Sequence, residues 1–213
     1  ARRARGADGL APLVPPTPAT GLGSSERPLV EAYDAGLLDL DGVLYVGPEA
    51  VPHAAEAVAA ARRAGMRVAF VTNNASRRPS AVAAHLSELG VPAVPDDVVT
   101  SAHAAVRYLA ARLPRGALVL VLGTEDLADE VRAGGLCPVR EAAGVLGVVQ
   151  GLAPTTSWED LAEASVAIQA GALWVAGNRD STYPTARGLV PGNGALVAAL
   201  ETATGRSPVV VGK

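Results

Sequence analysis

Two aspartates, Asp39 and Asp41, stand where the apolar run Ala35-Gly36-Leu37-Leu38 gives way to Asp39-Leu40-Asp41-Gly42-Val43. Strand side chains alternate with period two, so both carboxylates leave on one side. They point into the crevice beyond the strand's carboxyl end, where open α/β sheets bind ligands. Carboxylates this close repel each other, and a divalent cation or a proton kept on one acid relieves the pair. A nucleophile beside a general acid/base is one use of such an arrangement. An Asp-x-Asp-Gly turn that only ends a strand is the other reading. Gly42 permits a sharp turn and a close approach of backbone to a ligand.

A second polar group follows the next apolar run, Val68-Ala69-Phe70-Val71, as Thr72-Asn73-Asn74. A hydroxyl, two amides and backbone N–H groups ahead of a helix suit an oxyanion or a phosphate. Alone, these three residues make an ordinary turn; at the end of a parallel neighbour of the Asp39 strand, they face the same crevice. The third element is Lys213, the sole lysine in a chain whose other basic residues are all arginine. Arg-rich base usage accounts for scarce lysine, yet a compact, mobile ammonium also suits a transferring phosphoryl group where a fixed guanidinium fork does not.

These side chains need a frame. The chain has 213 residues, 49% hydrophobic and 18% charged, enough apolar material for a packed globular core. A formal net charge of −3 excludes the basic field that draws proteins to nucleic acid, and no apolar run approaches a membrane span of roughly 18–20 residues. Nucleic acid and membrane are therefore not expected as partners. The single cysteine, Cys137, rules out an internal disulfide framework and a thiolate zinc cluster, and it fits a reducing, cytoplasmic setting.

A strand over 35–38, a helix over 52–64 closed by Gly65 and a strand over 68–71 make one crossover unit, which requires parallel strands and a right-handed connection. Helices over 79–89, 102–113, 126–133, 158–170 and 194–202 alternate with strands over 98–100, 118–122, 145–149, 173–175 and 209–211. This is an α/β fold with mainly parallel sheets. No G-x-G-x-x-G follows a strand, so a dinucleotide site is not expected. His53, His85 and His103 show no metal-like pairing, Trp158 and Trp174 read as core, and Cys137 beside Pro138 does not read as a nucleophile. The Pro-, Gly- and Arg-rich opening lacks an apolar signal region and reads as a flexible tail over 1–31.

In this order, Asp39-Leu40-Asp41-Gly42-Val43, Phe70-Val71-Thr72-Asn73-Asn74 and Val211-Gly212-Lys213 resemble the first three motifs of the haloacid dehalogenase-like phosphatases. Between Asp41 and Thr72 there is room for one hairpin and one helix, whereas the interval from Thr72 to Lys213 is far too long for a core connection. The resemblance therefore implies a Rossmann-like parallel-sheet core over 32–115, an inserted α/β cap over 116–187 and a return to the core over 188–213. That is the layout of the NagD-like and p-nitrophenylphosphatase-like subclass. Within it, 71–76, 100–102, 171–176 and 187–194 look most like actinobacterial glycerol 3-phosphate phosphatases.

The resemblance implies that Asp39 is the nucleophile and Asp41 the general acid/base. It places Thr72, Asn73, Asn74 and Lys213 around the phosphoryl group of a small phosphorylated metabolite. Mg2+ is expected on the Asp39 carboxylate and the Asp41 backbone carbonyl. Asn178, Arg179 and Asp180, after the strand over 173–175, are expected to line the cap side of the site, with Asn178 and Asp180 touching substrate. A homodimer through the cap is the expected assembly. The family's fourth motif, an acidic Gly-Asp loop beyond the lysine, is absent from these residues. The C-terminal part of the core is thus expected to be missing and the chain as given to turn over weakly. A non-catalytic phosphate-binding protein of the same fold stays open as the alternative, as does a mutase that returns the phosphoryl group to product.

Overall fold

The computed structural model describes residues 27–75, 77–185 and 187–212. Of the expected tail only its last residues fall within these, and there a single helical turn, α1 (Leu29–Ala32), precedes the first strand. Lys213 lies outside the described residues.

The first crossover forms where the apolar spacing requires it. Strand β1 (Ala35–Asp39) runs into a tight turn and a small antiparallel hairpin of β2 (Tyr45–Val46) and β3 (Glu49–Ala50). Helix α2 (Ala54–Arg63) then returns the chain to β4 (Arg67–Thr72), parallel to β1, with Asp39 opposite Val71. One hairpin and one helix thus fill the interval, as its length implied. Helix α2 is alanine-rich, buries Val58 and carries Arg62 and Arg63 in its last turn, where cations oppose the helix dipole. Helix α3 (Pro79–Glu88) and β5 (Val98–Thr100) complete a three-stranded parallel sheet of order β1-β4-β5. Leu40, Leu44, Val58, Phe70, Val82 and Leu86 pack on one face of it. On the other face, Leu37 of β1 is 74% exposed among the described residues.

Helix α4 (Ser101–Ala110) leads into a second, five-stranded sheet. This contains β6 (Leu118–Leu122), α5 (Glu125–Ala133), β7 (Cys137–Val139), β8 (Gly147–Gln150), α6 (Trp158–Gln169) and β9 (Leu173–Ala176). An antiparallel hairpin, β10 (Thr182–Thr185) and β11 (Gly188–Pro191), precedes α7 (Asn193–Thr204) and β12 (Val209–Val210). The sheet order is β12-β9-β8-β6-β7, parallel throughout. Both faces are covered, so its central strands are apolar without interruption. Val119, Val121, Val149 and Val175 meet α4 and α5 on one side; Leu120, Leu122, Val148 and Trp174 meet α6 and α7 on the other.

Several features depart from the sequence reading. Helix α4 falls within 32–115 yet buries Ala102, Ala105, Val106 and Leu109 against the second sheet. Likewise α7 and β12, within 188–213, attach to that sheet, because Val209 and Val210 pair with Val175 and Ala176. Strand β7 was not foreseen because Pro138 sits in it; as an edge strand it tolerates the missing N–H. Trp158, expected in the core, is 76% exposed at the first position of α6. Trp174 is buried as expected, and its indole N–H donates to Gln150 Oε1 at 3.1 Å. No helix among the described residues is long and apolar enough to cross a membrane.

Candidate active site

Asp39 closes β1, and its Oδ1 accepts the N–H of Leu40 at 2.7 Å, which fixes the rotamer of the carboxylate. Leu40 is fully buried beneath, anchoring the turn that carries Asp41 outward. Three N–H groups, from Val43, Leu44 and Tyr45, converge on the Leu40 carbonyl, and the N–H of Gly42 donates to Tyr45 O at 2.8 Å. Gly42 takes φ +79, a left-handed conformation that most side chains would strain, so the glycine is required by the turn itself. Asp41 in turn bridges to Tyr45.

The phenol of Tyr45 reports on both acids. Its pKa is pushed up to about 12, first by burial, then by the charge of Asp41 and, more weakly, of Asp39; Arg77 pulls the other way. Two carboxylates, a phenol and a guanidinium therefore share one neighbourhood. The sequence reading missed Tyr45 and Arg77. Tyr45 resembles any apolar residue of a hairpin, and only its position three residues after Gly42 marked it.

Thr72 ends β4, the strand beside β1, and is only 3% exposed. Its hydroxyl accepts the N–H of Asn74 at 3.1 Å. The loop after it is tied to the second layer. Asn73 O accepts from Ser101 Oγ at 2.7 Å and from Asn178 Nδ2 at 3.0 Å, and Asn73 Nδ2 donates to Asp180 Oδ2 at 3.2 Å. Asn178 and Asp180, expected on the cap side of the site, thus reach the Thr72–Asn74 loop through Asn73. Arg179 is turned away, paired with Glu201 of α7. Ser101 and Asn193, which holds Asn178 O at 2.8 Å, were not foreseen.

Gly212 is the last described residue before Lys213. A methyl group on it would lie 2.0 Å from Gly177 O and 2.7 Å from Asn73 Oδ1, so only glycine allows the chain to pass this close to the loop. The backbone leading to Lys213 therefore runs beside Asn73. The acid donors at the end of β1 are oxygen only, the type that hard divalent cations take. Among the described residues no three His, Cys, Asp or Glu side chains gather as a metal cage, so a cation here would complete its shell with backbone, ligand or water oxygens, as Mg2+ readily does.

Residues 36–137 match the model of the haloacid dehalogenase-like hydrolase family. The chain is 36% identical, over 85% of its length, to the acid sugar phosphatase of Staphylococcus saprophyticus, of which it covers 69%. The chain belongs to the haloacid dehalogenase-like hydrolases. This member of the family is also 53% identical, over 88% of its length, to the D-glycerol 3-phosphate phosphatase of Mycobacterium tuberculosis, and spans about half (52%) of that relative. The crystal structure of the mycobacterial glycerol phosphate phosphatase with magnesium matches with a TM-score of 0.82 over 88% of this chain and 56% of that one. The p-nitrophenyl phosphatase of Archaeoglobus fulgidus, 30% identical, matches with a TM-score of 0.80 over 84% and 69% of the two chains. The likeness to the p-nitrophenylphosphatase-like branch of the haloacid dehalogenase-like hydrolases, drawn from three short motifs, thus holds across the fold.

Proposed function

We propose that this chain carries the nucleophile and phosphate-binding loops of a Mg2+-dependent phosphatase acting on a small phosphomonoester, glycerol 3-phosphate or a related polyol or sugar phosphate. One observation carries the reading: the Asp39–Asp41 turn and the Thr72–Asn74 loop close adjacent, in-register parallel strands. The names of the mycobacterial and staphylococcal relatives support the substrate class.

In this mechanism an Asp39 oxygen attacks phosphorus and the ester P–O bond breaks, with Asp41 giving its proton to the departing alkoxide. The product of this half is an aspartyl-phosphate. Water then attacks phosphorus while Asp41 takes its proton; the bond to Asp39 breaks and phosphate leaves. Thr72, Asn73 and Asn74 hold the phosphoryl oxygens, and Lys213 offsets their charge. The Asp39 carboxylate and the Asp41 carbonyl would hold Mg2+, which would supply charge neutralisation there. Tyr45 stays a neutral phenol at working pH and so keeps a donor beside the acids.

The second layer, which takes in α4, α7 and β12 besides 116–187, is read as the cap, and the first sheet as core. Asn178 and Asp180 stand on its site-facing loop, and the exposed Trp158 and Val166 of α6 support a homodimer through it. A cytoplasmic setting suits the lone thiol. The deciding experiment measures free phosphate from glycerol 3-phosphate with Mg2+, in wild type and Asp39→Asn. Loss of turnover in the variant with unchanged circular dichroism supports the nucleophile; retained turnover removes Asp39 from that role. An isomer in place of free phosphate would mean a mutase, and phosphate binding without turnover in a protein that also carries the family's acidic Gly-Asp loop a binding protein.

A further inference from the structure

We infer that Ser101 and Asn178 are positioning residues of the phosphate site: from the second layer they grip the carbonyl of Asn73 and so set the direction of the Thr72 hydroxyl. The inference rests on the reading of Thr72 as a phosphoryl ligand and names what aims it.

The chain of contacts is short. Asn73 O accepts two hydrogen bonds, 2.7 Å from Ser101 Oγ and 3.0 Å from Asn178 Nδ2, which occupies both lone pairs of the carbonyl. A peptide unit is planar, so fixing this C=O also fixes the N–H of Asn74 on its far side. That N–H donates to Thr72 Oγ1 at 3.1 Å. A threonine hydroxyl has one proton and two lone pairs. With a lone pair held by Asn74, the proton must point away from the loop backbone. At the end of β4, beside Asp39, that direction is the crevice.

The side-chain donors of both residues are spent on the Asn73 carbonyl. Helix α4 is capped by Thr100, whose hydroxyl accepts the N–H of His103 at 3.1 Å, so Ser101 is not needed as a cap. Both ends of the Asn178 amide are used within the protein, because Oδ1 accepts the N–H of Asp180 at 3.1 Å. Its backbone carbonyl is held by Asn193 Nδ2 at 2.8 Å. Ser101, Asn178 and Asn193 are all buried. Asn178 therefore acts on substrate through Asn73 and Thr72 instead of by touching it. Asp180 adds a tether to the Asn73 side chain.

The test uses inorganic phosphate as the probe, with affinity read by calorimetry in the presence of Mg2+, and hydrogen exchange of the Asn74 amide read by NMR. Ser101→Ala and Asn178→Asp, which replaces the donor by an oxygen facing the carbonyl, should speed exchange at Asn74 and weaken phosphate by on the order of 10- to 100-fold, the cost of a small misplacement. Ser101→Thr, which keeps the hydroxyl, should restore both. Thr72→Val combined with Ser101→Ala should bind phosphate no worse than Thr72→Val alone, since both act through one hydroxyl; a general structural lesion would add. If Thr72→Val leaves affinity unchanged, the ligand reading of Thr72 fails. If Thr72→Val weakens phosphate while Ser101→Ala and Asn178→Asp change neither affinity nor Asn74 exchange, the positioning role alone is overturned.

Discussion

The two sheets are built on one principle and buried very differently. In the second, every residue of β8 is buried, and Val119, Leu120, Val121 and Leu122 of β6 pack between two layers of helix. Among the described residues of the first, β1 has no fully buried residue, and it carries Asp39, the proposed nucleophile. The proposed chemistry is thus mounted on the sheet that the described residues bury less, and the proposed phosphate loop leans across to the more buried one through Asn73. A loop that is to hold a ligand needs something rigid to fix its angles. Here the second layer fixes them, by way of Ser101, Asn178 and Gly212.

If that division is real, cavity-forming substitutions should separate the sheets. Leu120→Ala, in a fully packed strand, should cost about 2–5 kcal/mol, whereas Leu37→Ala, at an exposed position of β1, should stay within about 0.5 kcal/mol. Urea denaturation measures both. Amide exchange should agree, with β8 opening only on global unfolding and β1 opening locally. Equal costs at the two sites, or protection of β1 matching β8, would erase the distinction.

The first sheet's charged end makes a sharper prediction at high pH. Burial and the neighbouring Asp41 raise the Tyr45 phenol from its ordinary value of 10.0 to about 12. The folded state then holds this proton more tightly than the unfolded chain does. Its contribution is whole below pH 10 and is lost as pH climbs from 10 through 12. Tyr45→Phe should flatten stability over that window relative to wild type. Parallel decline in both proteins would place the alkaline sensitivity elsewhere.

What could be read in the sequence was local. Asp39 and Asp41 announced themselves because an apolar run ends in acids and Gly42, and the crossover to Thr72 followed from period and length. What escaped was contact across layers. Ser101 and Asn193 stand at the first positions of α4 and α7, where serine and asparagine read as helix-start residues; nothing local says that their side chains reach Asn73 and Asn178. The hairpin over 182–191 lacks an apolar alternation, since Thr182-Tyr183-Pro184-Thr185 looks like a loop. Helix α4 was assigned to the sheet it follows in sequence, yet its stripe of Ala102, Ala105, Val106 and Leu109 serves the sheet it precedes. Periodicity shows which face of an element is apolar and is silent on which of two cores receives it.

The smallest effect concerns the outer seam between the layers. Arg78, just ahead of α3 in the first layer, donates from Nε to Asp126 at 2.8 Å and pairs with Asp129, both on α5 of the second. Asp129 also pairs with Arg132, which reaches Glu125, so the seam is a network of half-exposed charges. Such pairs are weak singly and are screened by salt, unlike the buried hydrogen bonds at Asn73. Arg78→Ala should lower Tm slightly at low ionic strength, and the difference from wild type should vanish near 1 M salt. Ser101→Ala should keep its effect in the same salt. An Arg78→Ala loss that persists at high salt would mean that the side chain joins the layers by packing its stem and not by charge. The surface seam and the buried clamp would then both hold the two layers by forces that salt does not screen.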